Sequence, residues 1–254
     1  MTRWLRITLS HLRFVALSYR RNPSAAFFTM LFPLMFLVIN ALLLGKNQVP
    51  LGGRMVSLSA FYVAGMAAFA VIMTCFTNLA TSILFDRDQS RLKRLRGTPT
   101  PVSAYIAARI VFTVFIALLT SGLCVLVGRV FFDVHPQLSA LPLFFLVIAL
   151  GGTTFAALSL TAVAAIPNAQ AGPAILNALS FPILFISSIF YPMQGAPKWL
   201  ETVAGILPVR PFAHAVTGAF FGLGVSLNDV LIVLAWGVGG ALLAARFFKW
   251  QPTR

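Results

Sequence analysis

The sequence predicts an all-α integral membrane protein. It should have six transmembrane helices, an N-terminal amphipathic helix, a short charged cytoplasmic helix and short re-entrant helices on the outer side. Three observations predict this. Of 254 residues, 59% are hydrophobic and 9% charged, whereas a soluble domain holds roughly 45–50% apolar and about 25% charged residues. Six apolar stretches each approach the ~20 helical residues needed to cross a ~30 Å hydrocarbon core. The basic residues fall in clusters between those stretches instead of spreading over a soluble surface.

The apolar stretches run approximately over 24–44, 57–82, 103–128, 141–164, 172–192 and 227–247. Backbone groups in lipid must be satisfied within the segment, so these are helices; the alternating pattern of barrel strands is absent. At this length the whole of 1–254 reads as one membrane domain. Lys and Arg set the orientation. Thirteen lie in the N-terminal segment, the loop after the second span and the C-terminal tail; five (Lys46, Arg54, Arg129, Lys198 and Arg210) lie on the opposite side. The richer side is cytoplasmic by the positive-inside rule, and an even number of spans puts both termini there. Arg109, about two turns into the third span, is placed to snorkel to the cytoplasmic interface.

In residues 1–23, Arg3, Arg6, Ser10, Arg13 and Arg20 follow helical spacing, with Trp4, Leu5, Leu12, Val15 and Tyr19 on another face. This is the pattern of an amphipathic helix in the headgroup layer, ending near Asn22-Pro23. The alternative is a basic topogenic flank of no fixed shape. The segment 86–98 holds two of the five acidic residues and five basic ones, with Gly97 and Pro99 placed to end a helix. A helix parallel to the membrane and an ordinary positive-inside loop both fit it. In 193–225, Lys198-Trp199-Leu200-Glu201 opens a short amphipathic piece, Leu207-Pro208 breaks it and an apolar stretch from Phe212 to Val225 follows; these are too short to cross and read as re-entrant helices, with Tyr191 and Trp199 at headgroup depth.

No enzyme chemistry is visible. His11, His135 and His214 are isolated, and HExxH, GxSxG and paired carboxylates are all missing. Cys75 and Cys124 lie within apolar stretches without metal-ligand spacing, so no metal or disulfide is expected. The N-terminus does not have the form of a cleavable signal peptide, and the clustered charge argues against nucleic acid. The spans hold no carboxylate at depth, which disfavours a proton-driven carrier. With no GxxxxGK[ST] motif, any ATP must be bound by another chain.

Two stretches carry a family resemblance. One is Asp86-Arg87-Asp88 through Arg91-Leu92-Lys93-Arg94-Leu95-Arg96-Gly97-Thr98-Pro99. The other is Ser187-Ser188-Ile189-Phe190-Tyr191-Pro192 through Pro197-Lys198-Trp199-Leu200 to Leu207-Pro208-Val209-Arg210-Pro211. With the length and span count, they resemble the permease subunits of ABC type-2 transporters, in particular bacterial daunorubicin-resistance-type drug exporters. Relatives commonly carry Glu where this chain has the shorter Asp86 and Asp88.

The resemblance implies a mechanism. Two permeases, identical or related, pair in the bacterial inner or plasma membrane, and two ATP-binding subunits that hold ATP and Mg dock beneath them. Asp86, Arg87, Asp88, Arg91, Lys93 and Arg94 would belong to the coupling helix seated on the ATPase. Substrate would pass between the permeases along Asn40, Thr74, Asn78, Asn177, Ser180 and Ser187, which could equally serve as interhelical hydrogen-bonding groups worth about 0.6 kcal/mol each. Phe190, Tyr191, Pro192 and Trp199 would form an outer gate. The implied function is export of a hydrophobic drug, antibiotic or lipid-like compound, with no ATPase site in this chain. The alternatives are export of a cell-envelope glycan or polar precursor, a gradient-driven carrier, or a non-transporting membrane scaffold.

Overall fold

The computed structural model of the chain describes residues 3–97, 101–191 and 197–247, and it is mostly helical. Helix α1 (Arg3–Arg20) lies against the bundle and buries none of its residues. After the break at Asn22, Pro23 opens α2 (Pro23–Leu44), at a position where its missing N–H costs nothing. A hairpin follows, β1 (Gln48–Leu51) paired with β2 (Arg54–Ser57). Its turn residues Gly52 and Gly53 have φ of +56° and +77°, the left-handed pair that a two-residue turn requires and glycine adopts freely. This strand pair departs from the all-helical expectation; its Gly-Gly signal is visible in the sequence.

Helix α3 (Leu58–Ile72) starts on a cap, with the Ala60 N–H donating to the Ser57 hydroxyl. It continues through a π-helical segment (Met73–Asn78) into α4 (Leu79–Asp88). This 31-residue rod is the centre of the molecule. Every residue of α3 is buried, as expected for a helix apolar on all sides. The left-handed Ser90 (φ +56°) turns the chain into α5 (Arg91–Arg96). Helix α6 (Val102–Phe132) and α7 (Leu141–Ala165) then pack on the rod.

Helix α8 (Gly172–Phe185) is short. The chain leaves it through a turn in which the Ser187 hydroxyl donates to the Leu184 carbonyl and Ser188 takes φ +62°. Helix α9 (Lys198–Ile206) and α10 (Val209–Phe220) form a helical hairpin, and α11 (Leu227–Phe247) closes the bundle against α7. The hairpin reaches deep between its neighbours. The Trp236 indole N–H donates to the Ile206 carbonyl at 2.8 Å, nine residues or about 14 Å along α11 from its start. Phe212 meets Phe155 of α7 edge-on at 5.3 Å, and Phe220 meets Phe144, three turns nearer the start of α7, at 5.6 Å. So α9 runs inward and α10 returns. Of the expected outer segment 193–225, residues 193–196 lie outside the described residues.

Among the described residues four helices are long and apolar enough to cross a membrane: Leu58–Asp88, Val102–Phe132, Leu138–Ala165 and Leu227–Phe247. They coincide with the expected spans at 57–82, 103–128, 141–164 and 227–247. The expected spans at 24–44 and 172–192 fall on two shorter apolar helices, Thr29–Leu44 and Gly172–Phe185. The latter stops seven residues early, where Ser187 and Ser188 turn the backbone out of the helix.

Candidate functional site

The charged segment at the end of the central rod divides its residues between two tasks. Arg87 is 1% exposed and faces inward. Its guanidinium donates to the carbonyls of Val163 (3.0 Å), Ile166 (2.8 Å) and Pro167 (3.0 Å). The sequence explains why those carbonyls need it. The last carbonyls of a helix lack intrahelical donors, and Pro167, four residues after Val163, has no N–H to give. Asp88 accepts from the Ala169 N–H at 2.7 Å, beyond the same helix end. Asp86, 5% exposed, accepts from Arg91 (3.0 Å), from the Tyr105 hydroxyl (2.6 Å) and from Arg109. Arg109 also donates to the Ser82 hydroxyl at 3.0 Å.

The other residues point out. Leu92, 2% exposed, anchors α5, while Lys93, Arg94 and most of Arg91 stay exposed. The six residues singled out in the sequence therefore split. Asp86, Arg87 and Asp88 bind the segment to α6 and to the end of α7; Arg91, Lys93 and Arg94 form its outward face. Two partners escaped the sequence reading: Arg109, taken as a snorkelling residue, and Tyr105. Their signal is a guanidinium and a phenol one turn apart on α6, at the same end of the bundle as a carboxylate on α4.

Beside this cluster lies a cavity of about 990 Å³ between α1, α2, the π-helical segment, α4, α5 and α6. Thr74 and Asn78 line it. The π-helical segment disturbs the regular backbone ladder there, a feature frequent at functional sites. Asn78 donates to the Thr29 hydroxyl at 3.2 Å, whereas the Thr74 hydroxyl, on a residue 3% exposed, has no hydrogen-bond partner. The other four polar residues are dispersed. Asn40 donates to the Phe36 carbonyl, Ser187 to that of Leu184, and Asn177 is half-buried on α8. Ser180 lines a separate apolar pocket of about 320 Å³ beside Trp236.

Of the four residues expected at an outer gate, Phe190 is wedged among Phe36 (5.5 Å), Phe69 (5.6 Å) and Phe185 (5.2 Å). Phe69 lies about 16 Å along α3 from its start, so Phe190 sits at depth. Tyr191 and Trp199 are exposed, and Pro192 lies outside the described residues.

Helix α1 closes one side of the cavity. Trp4 donates to the Ser103 hydroxyl, the His11 ring meets Tyr105 edge-on at 5.9 Å, and Tyr19 meets Phe112 at 5.4 Å. Burial, and then the Arg109 guanidinium, hold the His11 imidazole below its ordinary pKa. A base lowered in the folded state contributes stability above the unfolded value of ~6.5, which is lost as pH falls through the folded value. Protection factors of α1 amides, each rate taken relative to its intrinsic rate at that pH, should therefore be lower at pH 5 than at pH 7.5, and His11→Gln should remove that difference. Equal protection factors at both pH values in the unmodified protein would contradict it.

Comparison with known proteins agrees with this architecture. Residues 9–221 match the family model described as ABC-2 type transporter. A protein of Porphyra purpurea named as a transport permease (ycf38) is 23% identical over 224 residues, covering 85% of this chain and 75% of that protein. The match takes in α5, the central rod and the helical hairpin, and with it the chain belongs to the ABC-2 type transporter family as a multi-pass membrane permease.

Proposed function

We propose that the chain is the permease half of an ATP-driven exporter of a hydrophobic drug, antibiotic or lipid-like compound. It crosses the membrane six times with both termini cytoplasmic, pairs with a second permease and works with two copies of an ATP-binding subunit that carry ATP and Mg. The bacterial inner membrane is its proposed site. The observation that supports this reading most is the lever at the basic end. An exposed face of Arg91, Lys93 and Arg94 sits on a segment whose other charges are tied inside the bundle. A push on that face reaches α6 through Asp86 and the end of α7 through Arg87 and Asp88. The aromatic contact of Phe190 with Phe36 and Phe69 suits an apolar cargo.

The test is charge reversal on the exposed face alone. Lys93→Glu with Arg94→Glu should leave the permease folded, because Leu92, the Arg91–Asp86 pair, Arg87 and Asp88 are untouched. Each reversal turns a contact worth up to ~1 kcal/mol at a surface into repulsion. The double variant should thus weaken association with the ATP-binding subunit by at least about tenfold (~1.4 kcal/mol). Transport-coupled ATP hydrolysis should fall with it. Unchanged association, measured by co-purification and ATPase titration, would sink the coupling assignment.

A further inference from the structure

We infer that the cavity between α1, α2, the π-helical segment and α6 is a binding site, within a single chain, for an anionic amphiphile. Its head would lie at the basic end, its apolar tail toward the middle of the bundle, and a second polar group at mid-length.

Three features of the cavity support this, and together they describe one kind of molecule. The first is charge. The charged side chains lining it are Asp86, Arg91 and Arg109, one carboxylate against two guanidinium groups. Asp86 is already shared between both arginines and Tyr105, so a positive charge is left over, and the Nε of Arg109 is buried without a partner. A cationic surplus in a partly desolvated site selects an anion. The second is gradation. Along the central rod the lining runs from Asp86 through Ser82, Asn78 and Thr74 to Phe69, which meets Phe32, while Phe85, Leu92 and Leu95 add apolar surface at the basic end. The third is the orphan hydroxyl. Thr74 is 3% exposed, lines the cavity and has no hydrogen-bond partner. Burying such a group costs free energy unless something bonds it, and a ligand ester, amide or hydroxyl at that depth would do so. At about 990 Å³ the space is at the upper end of the ~300–1,000 Å³ of ligand sites.

Two sources could supply this chemistry: a phospholipid resident in the membrane, or a mobile single-chain amphiphile. The full chain would be placed in phosphatidylcholine nanodiscs with three photoactivatable probes in turn: phosphatidylglycerol, lysophosphatidic acid and uncharged monoacylglycerol. Cross-linked peptides would be read by mass spectrometry. An anionic probe should label peptides from α1, Met73–Asn78 and α6 about tenfold more than monoacylglycerol does, a preference of ~1.4 kcal/mol. Labelling by phosphatidylglycerol identifies a resident lipid; labelling by lysophosphatidic acid alone identifies a mobile amphiphile; both outcomes support the site.

Two variants guard against a folding artefact. Ser18→Trp fills the cavity from α1, a helix that buries none of its residues, and should reduce anionic labelling to the monoacylglycerol level. Thr74→Val keeps the side-chain shape and should reduce labelling severalfold with thermal unfolding unchanged or slightly raised. Equal labelling by all three probes, or anionic labelling that survives Ser18→Trp, would overturn the proposal. No ATP-binding subunit is needed, so its failure is distinguishable from failure of the coupling lever.

Discussion

Replacing Arg87 by Met should destabilise the folded chain by roughly 3–5 kcal/mol, the range for leaving buried charged and polar partners without their counterpart. Met keeps the apolar stem of Arg, so the effect comes mainly from losing the guanidinium end. What disappears is the donor set for three carbonyls at the end of α7. The Val163 carbonyl has no second source, since the residue four places on is Pro167. Asp88 loses its ion pair with the guanidinium, 3.6 Å away. Arg87→Lys should recover only part of the loss, because one ammonium cannot span three diverging carbonyls as a guanidinium does. Thermal unfolding in detergent would measure the stability change, and hydrogen exchange over 163–171 would localise it. If Arg87→Met unfolds like the unmodified chain, the buried guanidinium is not what ties α4 to α7. The lever between α5 and the end of α7 would then lose its main strut.

That Arg87 holds this position could not have been read from the sequence. In Asp86-Arg87-Asp88 all three residues look like a solvated charge run, since composition and spacing do not tell which of three consecutive charges turns inward. The local clue lay elsewhere, in Pro167 after the apolar stretch 141–164: a proline there orphans a carbonyl that something must satisfy. The four long spans were legible because an unbroken apolar run of 20 or more residues has few other solutions. The end of α8 was not, because 186–191 stays apolar in composition while Ser187 and Ser188 take it out of the helix. For the six polar residues expected along a pathway, less was legible. Depth in the bilayer can be estimated from sequence, but the direction a side chain faces cannot. Thr74 and Asn78 therefore share a cavity, while Asn40 bonds within its own helix and Ser187 bonds back to the end of α8.

Gly65→Ala, a single added methyl group, should open the aromatic contact around Phe190. A Cβ at Gly65 would lie 2.3 Å from the carbonyl oxygen of Ile189 and 3.4 Å from its carbonyl carbon. Both are backbone atoms, so no rotamer change relieves the clash. Helix α3 cannot retreat, because every one of its residues is buried. The segment after α8 must move instead, at a cost of about 1–3 kcal/mol for overpacking. It would carry Phe190 away from Phe36 and Phe69. A reporter thiol would read the displacement. Cys75 and Cys124 are both fully buried, so maleimide should react mainly at a Phe190→Cys site. Its labelling rate should rise about tenfold when Gly65→Ala is added, equivalent to ~1.4 kcal/mol of easier opening. Gly239→Ala is the matched control: its Cβ would meet nothing within 4 Å, and Ala in a helix interior is favoured over Gly by roughly 0.5–1 kcal/mol. That variant should leave labelling unchanged and stability equal or slightly higher. If both alanines behave alike, the close approach of Gly65 to Ile189 does not hold the segment, and Phe190 cannot be regarded as a wedge set by the central rod. If only Gly65→Ala speeds labelling, the rod that carries the charged segment at one end also fixes the aromatic contact near the other.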